Sequence, residues 1–310
     1  MTTLAQRPKP ALEAHAPGAV SGPVYVLRMI RYRFFLYAGL LPYLLGAAWA
    51  RGMEHAFVPG RFWTGLLGIF LAVCGVEAFN EYFDSRLGTD RVFNPSDEDP
   101  VPDWMLHFGI AAFALAACCG LWLAREGGWP ILLYMGLGGM AAVFYVGPPI
   151  RWVYRGLGET AIALSYGPWM TLGSLHLHTG RFSWGGLAAS LVPGLLIAAL
   201  AVVNEIPDFY QDRLVGKRNL VVRLGRRGGM LLYLGLAAAG IVALVLGAAA
   251  GLFPKASLLA AAAAAPLLSL SARAAWTTYE EPRNFVPAVR WIVLCYAVGT
   301  GIFTVAAALS

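Results

Sequence analysis

The sequence predicts an all-α, polytopic membrane protein, with about nine transmembrane helices around a central cavity. Three observations carry that prediction. Of the 310 residues, 58% are hydrophobic and only 13% charged, about half the charged fraction of a soluble domain, so the chain cannot cover a soluble surface. Apolar stretches of about 20 residues, each long enough to cross the hydrocarbon core as a helix, recur along nearly the whole chain. No alternating barrel pattern accompanies them, and a helix satisfies its backbone polar groups within its own segment.

In chain order, the first 24 residues carry Pro8, Pro10, Pro17 and Pro23 and no apolar run. They read as a disordered tail on the cytoplasmic side and not as a signal peptide. Residues 25–310 read as one transmembrane domain. Its spans fall at roughly 31–50, 61–83, 104–124, 129–147, 159–177, 186–206, 229–251, 255–275 and 288–309. The sixth runs into Pro207, which should kink or end it, and the eighth is an alanine run broken by Pro266. Cys74, Cys118, Cys119 and Cys295 all lie within spans, without metal or disulfide spacing, and read as small buried hydrophobes. Small residues four apart, such as Gly138 and Ala142, mark helix packing.

Basic residues set the orientation. With the N-terminus in the cytoplasm, only Arg51, Arg61, Arg125, Arg181 and Lys255 of the 23 Lys/Arg fall on the far side, as the positive-inside rule requires. A prokaryotic inner membrane suits this pattern. The net charge of +6 then belongs to loops facing anionic lipid, and no nucleic-acid partner is needed to explain it.

Carboxylates at a span end are costly unless paired or metal-bound, and two clusters stand there. The first, Asn80-Glu81-Tyr82-Phe83-Asp84, closes the second span and continues to Gly88 and Asp90; the second, Asn204-Glu205-Ile206-Pro207-Asp208, closes the sixth and continues to Asp212. Asn80 and Asp84 are four apart, and Asn204, Asp208 and Asp212 are four and eight apart, so each set lies on one helical face. Such oxygen ladders suit Mg²⁺, which is held by one or two carboxylates together with substrate phosphates. Two of them facing each other would hold a diphosphate, with Lys217, Arg218 and Arg223 donating to its remaining oxygens. The single motif by itself also fits a cap or solvated turn. Asp97, Glu98, Asp99 and Asp103 read as a solvated loop, and His176 and His178 as part of a hydrated loop on the outer side.

These two motifs, with Gly216-Lys217-Arg218-Asn219-Leu220 and Arg223-Leu224-Gly225 after the second, resemble the UbiA-type intramembrane prenyltransferases. The resemblance implies that Asn80, Asp84, Asp208 and Asp212 bind Mg²⁺ and an isoprenyl diphosphate, and that Asn204 stands where some branches have an asparagine. Tyr145-Val146-Gly147-Pro148-Pro149-Ile150-Arg151 looks like the family's loop after the fourth helix, which gives Tyr145 and Arg151 roles beside Asp84 and Asp208 in catalysis at the diphosphate. Gly88-x-Asp90, Gly156-Leu157-Gly158-Glu159 and Gly167-Pro168 look most like the dihydroxynaphthoate polyprenyltransferases of menaquinone synthesis, with Asp90 as a further metal ligand. Glu81 and Pro148-Pro149-Ile150-Arg151 depart from that branch. The implied reaction is Mg²⁺-dependent prenylation of an aromatic acceptor within the bilayer. A terpene cyclase on the same scaffold and a non-aromatic acceptor fit the same motifs. An ion-coupled transporter fits less well, since transporters place their carboxylates near the midplane.

Overall fold

Helix follows helix through the computed structural model, which describes residues 33–87 and 101–310. The N-terminal tail and Asp90 lie outside these residues, as do Asp97, Glu98 and Asp99. The helices are α1 (Arg33–Gly52), α2 (Pro59–Leu87), α3 (Trp104–Gly127), α4 (Pro130–Val143), α5 (Gly158–Leu164), α6 (Met170–Thr179), α7 (Trp184–Glu205), α8 (Phe209–Leu214), α9 (Leu220–Ala249), α10 (Ser257–Thr278) and α11 (Val286–Ala308). A π-helical turn, Ser165–Trp169, joins α5 to α6 in one unbroken run.

Among the described residues, α2, α3, α7, α9, α10 and α11 are long and apolar enough to cross a membrane. The fourth predicted span is a helix of only 14 residues. It stops before Gly147-Pro148-Pro149, because proline removes a donor and disfavours helical backbone in the residue before it. By contrast α10 runs straight through Pro266, which buried helices tolerate when neighbours satisfy the freed backbone groups.

The central helix is α7. In its most apolar window 78% of residues are buried, against 17% for α3. It packs against α1, α5, α9 and α11, and Leu196, Ile197 and Leu200 join Trp49, Tyr233, Phe285 and Phe303 in the core. Close approach needs small residues: a Cβ on Gly167 would stand 2.7 Å from Gly194 Cα, so the π-turn and α7 cross backbone to backbone. The outside of the bundle is apolar, with Leu67, Leu115, Leu246 and Leu259 exposed, and Trp63, Trp129, Trp184 and Trp276 exposed near helix ends, where indole rings suit the membrane interface.

Two expectations change. His176 and His178 lie in α6, not in a loop, and both are buried. The His178 Nδ1 accepts the Val58 N–H at 3.2 Å, and its ring packs on Phe57 and Phe62. Of the cysteines, Cys295 is buried but Cys118 faces outward, because an apolar thiol is as much at home against lipid as in a core. Asp103 stays exposed while pairing with Arg86.

Candidate active site

The two acidic segments meet at one end of the bundle. Residue Asp84 sits in the last turns of α2, and Asp212 sits in α8, just past the break at Pro207 that ends α7. Lys217 lies between them, its Nζ 3.6 Å from Asp84 Oδ1 and 3.3 Å from Asp212 Oδ1. The two carboxylates are therefore close enough for a pair of cations about 4 Å apart to bridge them. Burial works against the Lys217 charge, yet Asp84 and Asp212 outweigh it and hold the ammonium above its ordinary pKa. Burial also pushes Asp212 up, although Lys217 and Asn219 oppose it.

Local chemistry fixes the lysine loop. Gly216, with φ +81°, adopts the left-handed backbone open to glycine, and the Lys217 N–H returns to the Asp212 carbonyl at 2.9 Å. Asn219 caps α9, its Oδ1 accepting the Val222 N–H at 2.8 Å while its Nδ2 donates to Asp212 Oδ2 at 2.7 Å. The Leu220 N–H donates to Glu159 Oε1 at 2.5 Å. Glu159 is 2% exposed.

The third segment folds back beside this cluster. After α4 the chain doubles over, the Trp152 and Val153 N–H groups donating to the Phe144 and Tyr145 carbonyls at 2.9 and 3.2 Å. Arg151 holds a left-handed φ of +54°, a conformation rare for a side chain of its size. Its guanidinium lies 5.8 Å from the Tyr154 ring centre, within cation–π range, and its Nε is buried with no hydrogen-bond partner among the described residues. The Tyr154 hydroxyl is also buried with no hydrogen-bond partner among the described residues, within electrostatic reach of Lys217, Asp84 and Asp212. Tyr145 lies near Asp84, Asp212, Glu159 and Glu205.

Below the acidic end runs a cavity of about 440 Å³, lined by Asn80 and Tyr145 near the acids and by Tyr43 and Gly65 far from them. Asn80 and Gly65 share α2, so the cavity is about 22 Å deep at 1.5 Å per residue. Its lining is otherwise mostly aliphatic, aromatic or glycine.

The remaining expected site residues sit at the edge. Asn204 donates from Nδ2 to the Leu200 carbonyl at 2.9 Å. Asp208 is exposed at the start of α8, where its carbonyl accepts the Asp212 N–H at 2.8 Å. Arg218 is exposed. Arg223 donates to two backbone carbonyls, from Nε to Arg218 at 2.8 Å and from Nη2 to Arg155 at 2.5 Å, and so braces two loops. Tyr154 and Glu77 escaped the sequence reading, and Glu159 and Glu205 stood in its segments without an assigned role. For the three glutamates the available signal was a carboxylate inside or beside a predicted span.

Among the described residues, no three His, Cys, Asp or Glu side chains converge to cage a metal by themselves. The buried Asn80 Oδ1, without a hydrogen-bond partner among the described residues, and the facing Asp84 and Asp212 carboxylates are hard oxygen donors of the kind Mg²⁺ takes.

Comparisons with known proteins give the family and the fold. Residues 39–294 match the UbiA prenyltransferase family. The chain is 34% identical over 206 residues to a 1,4-dihydroxy-2-naphthoate octaprenyltransferase of Mycobacterium tuberculosis, covering 63% of this chain and 68% of that one. It is 24% identical over 245 residues to the 2-carboxy-1,4-naphthoquinone phytyltransferase of a Synechocystis species, covering 77% and 76%. The fold is similar to a UbiA homolog from Archaeoglobus fulgidus bound to GPP and Mg²⁺, with a TM-score of 0.58 and 16% identity over 90% of this chain and 99% of that one. It is also similar to a digeranylgeranylglyceryl phosphate synthase, with a TM-score of 0.65 and 17% identity over 92% and 98%. The matched residues span both acidic segments, the lysine loop and the cavity, and the chain belongs to the UbiA prenyltransferase family as a membrane prenyltransferase.

Proposed function

We propose that the protein transfers a prenyl group from an isoprenyl diphosphate to a hydroxylated aromatic acceptor of the dihydroxynaphthoate type, at the cytoplasmic face of a prokaryotic inner membrane. The observation that carries this reading is Lys217 lying between Asp84 and Asp212, directly above a deep apolar cavity. Charged chemistry at the mouth and hydrocarbon below match the two halves of a prenyl diphosphate.

In this mechanism Asn80, Asp84 and Asp212 would hold Mg²⁺, with Asp208 and Asp90 as further ligands. The ion supplies charge neutralisation for the departing diphosphate. Lys217 and Arg151 donate to the phosphate oxygens as negative charge gathers there, and Arg218 and Asn204 extend the donor set outward. Tyr145, at the boundary between acids and cavity, positions the reacting carbon and offers a π face to its developing positive charge. The apolar cavity houses the isoprenoid tail and keeps out the water that would quench the cation.

The test is product identification. Purified full-length protein with geranyl diphosphate, Mg²⁺ and 1,4-dihydroxy-2-naphthoate should yield a prenylated naphthalene ring, and excess chelator should abolish the product. Cyclic hydrocarbons formed without consuming the acceptor would replace this reading with a cyclase. Undiminished turnover in chelator would remove the metal from it.

A further inference from the structure

One carboxylate in the bundle has no part in the diphosphate site. Val73, Val76 and Asn80 of α2 line the cavity, and Glu77 lies next to Val76 in the chain, one turn deeper than Asn80. The Glu77 Oε1 is sealed from solvent and, among the described residues, has no hydrogen-bond partner. Ser165 and Tyr166, from the π-helical turn, line the same cavity. The Ser165 Oγ is likewise buried and unpartnered, and Tyr166 lies within electrostatic reach of Glu77. π-turns inside helices frequently mark functional sites. Among the described residues, the titratable neighbours acting on Glu77 are Glu81 and Cys74 on α2 and Tyr166 opposite, none of them a cation.

An uncompensated carboxylate inside a membrane bundle calls for a ligand that brings a proton or a positive charge. We infer that Glu77, with Ser165 and Tyr166, forms the subsite for a ring hydroxyl of the aromatic acceptor, and that Glu77 takes that hydroxyl's proton. This rests on the transfer reaction proposed above and names its missing base. The hydroxyl proton passes to Glu77, and the ring's electrons form the new C–C bond to the prenyl C1. The C1–O bond breaks, its electron pair leaving with the diphosphate. The dienone so formed loses the proton of the alkylated carbon, and its oxygen recovers one from Glu77, so one proton and one diphosphate are released per turnover. Ser165 orients the hydroxyl without exchanging a proton.

The test uses full-length protein in phospholipid nanodiscs with geranyl diphosphate, Mg²⁺ and 1,4-dihydroxy-2-naphthoate. Glu77→Gln keeps the shape of the side chain and loses the base. Its kcat should fall about 100-fold, the scale of a general base, with the KM for geranyl diphosphate unchanged. The deficit should shrink as pH rises and solution supplies the ionised acceptor. Ser165→Ala should raise the acceptor KM severalfold and leave geranyl diphosphate binding intact. Wild-type kcat in Glu77→Gln overturns the inference. So does a geranyl diphosphate KM that rises as much as the acceptor KM, or loss of geranyl diphosphate binding, since either assigns Glu77 to the diphosphate site or to the fold. A wild-type protein that prenylates no hydroxylated naphthalene overturns the parent reading instead.

Discussion

The Leu220 N–H, at the start of α9, donates to the buried Oε1 of Glu159, 61 residues earlier in the chain. This bond ties the lysine loop to α5. Glu159→Ala would leave the Leu220 N–H without its acceptor, a loss of about 1–3 kcal/mol for a buried group. The thermal midpoint in detergent should drop, and the KM for prenyl diphosphate should rise as Lys217 loses its support. Glu159→Gln retains an acceptor oxygen and should recover most of both. If the alanine variant melts and binds like wild type, the bond does not position Lys217.

Asp212 gives a pH signature. Its folded pKa lies above its ordinary 3.8, chiefly through burial, so the neutral form is the one the fold favours. The stability this contributes is complete below about 3.8 and is lost as pH rises through the raised folded value. In chelator, the wild-type thermal midpoint should therefore fall over the weakly acidic range relative to Asp212→Asn, which has no such step. Adding Mg²⁺ at neutral pH should raise the wild-type midpoint and leave that of Asp212→Asn unmoved. Parallel pH curves for the two proteins would refute this.

Asp84→Asn keeps size and loses the charge that would hold the cation. Turnover should fall by about two orders of magnitude or more, the scale of removing a main electrostatic stabiliser. A loss of less than about threefold in steady-state assays would take Asp84 out of the catalytic set.

Arg151 is held in a left-handed backbone conformation with its Nε buried and unpartnered. A fork that matters mostly as charge gathers on the leaving group lowers kcat more than it raises KM when removed. Arg151→Ala should show that split, and Arg151→Lys should recover only part of the rate, since an ammonium keeps charge without bidentate geometry. Wild-type kinetics in Arg151→Ala would leave it a topology residue.

Much of the architecture was legible in the chain itself. Hydrophobic runs about as long as a bilayer is thick admit only helices, so the all-helical fold and its apolar exterior followed from composition and period. The four-residue spacing put Asn80 and Asp84 on one face of α2, because 3.6 residues per turn makes such pairs neighbours, whereas Asn204, Asp208 and Asp212, expected on one face, are divided by the break at Pro207, with Asp208 exposed and Asp212 buried. Pro207 marked the end of α7.

Only the tertiary structure decided which groups from different segments meet. Lys217 reaching both Asp84 and Asp212, Glu159 capping Leu220, and Tyr154 presenting a buried hydroxyl to the same cluster depend on how distant helices pack and on loops turning at Gly216 and Arg151. Sequence spacing carries no information about contacts between segments tens of residues apart. His176 and His178 show the same limit: hydrophilic residues near a span end read as loop, and packing against Phe57, Phe62 and the Val58 backbone drew His178 inside. Local periodicity determines which face of a helix is apolar, whereas the partner that face meets, and the polar atoms enclosed between them, are set by the three-dimensional packing of the whole bundle.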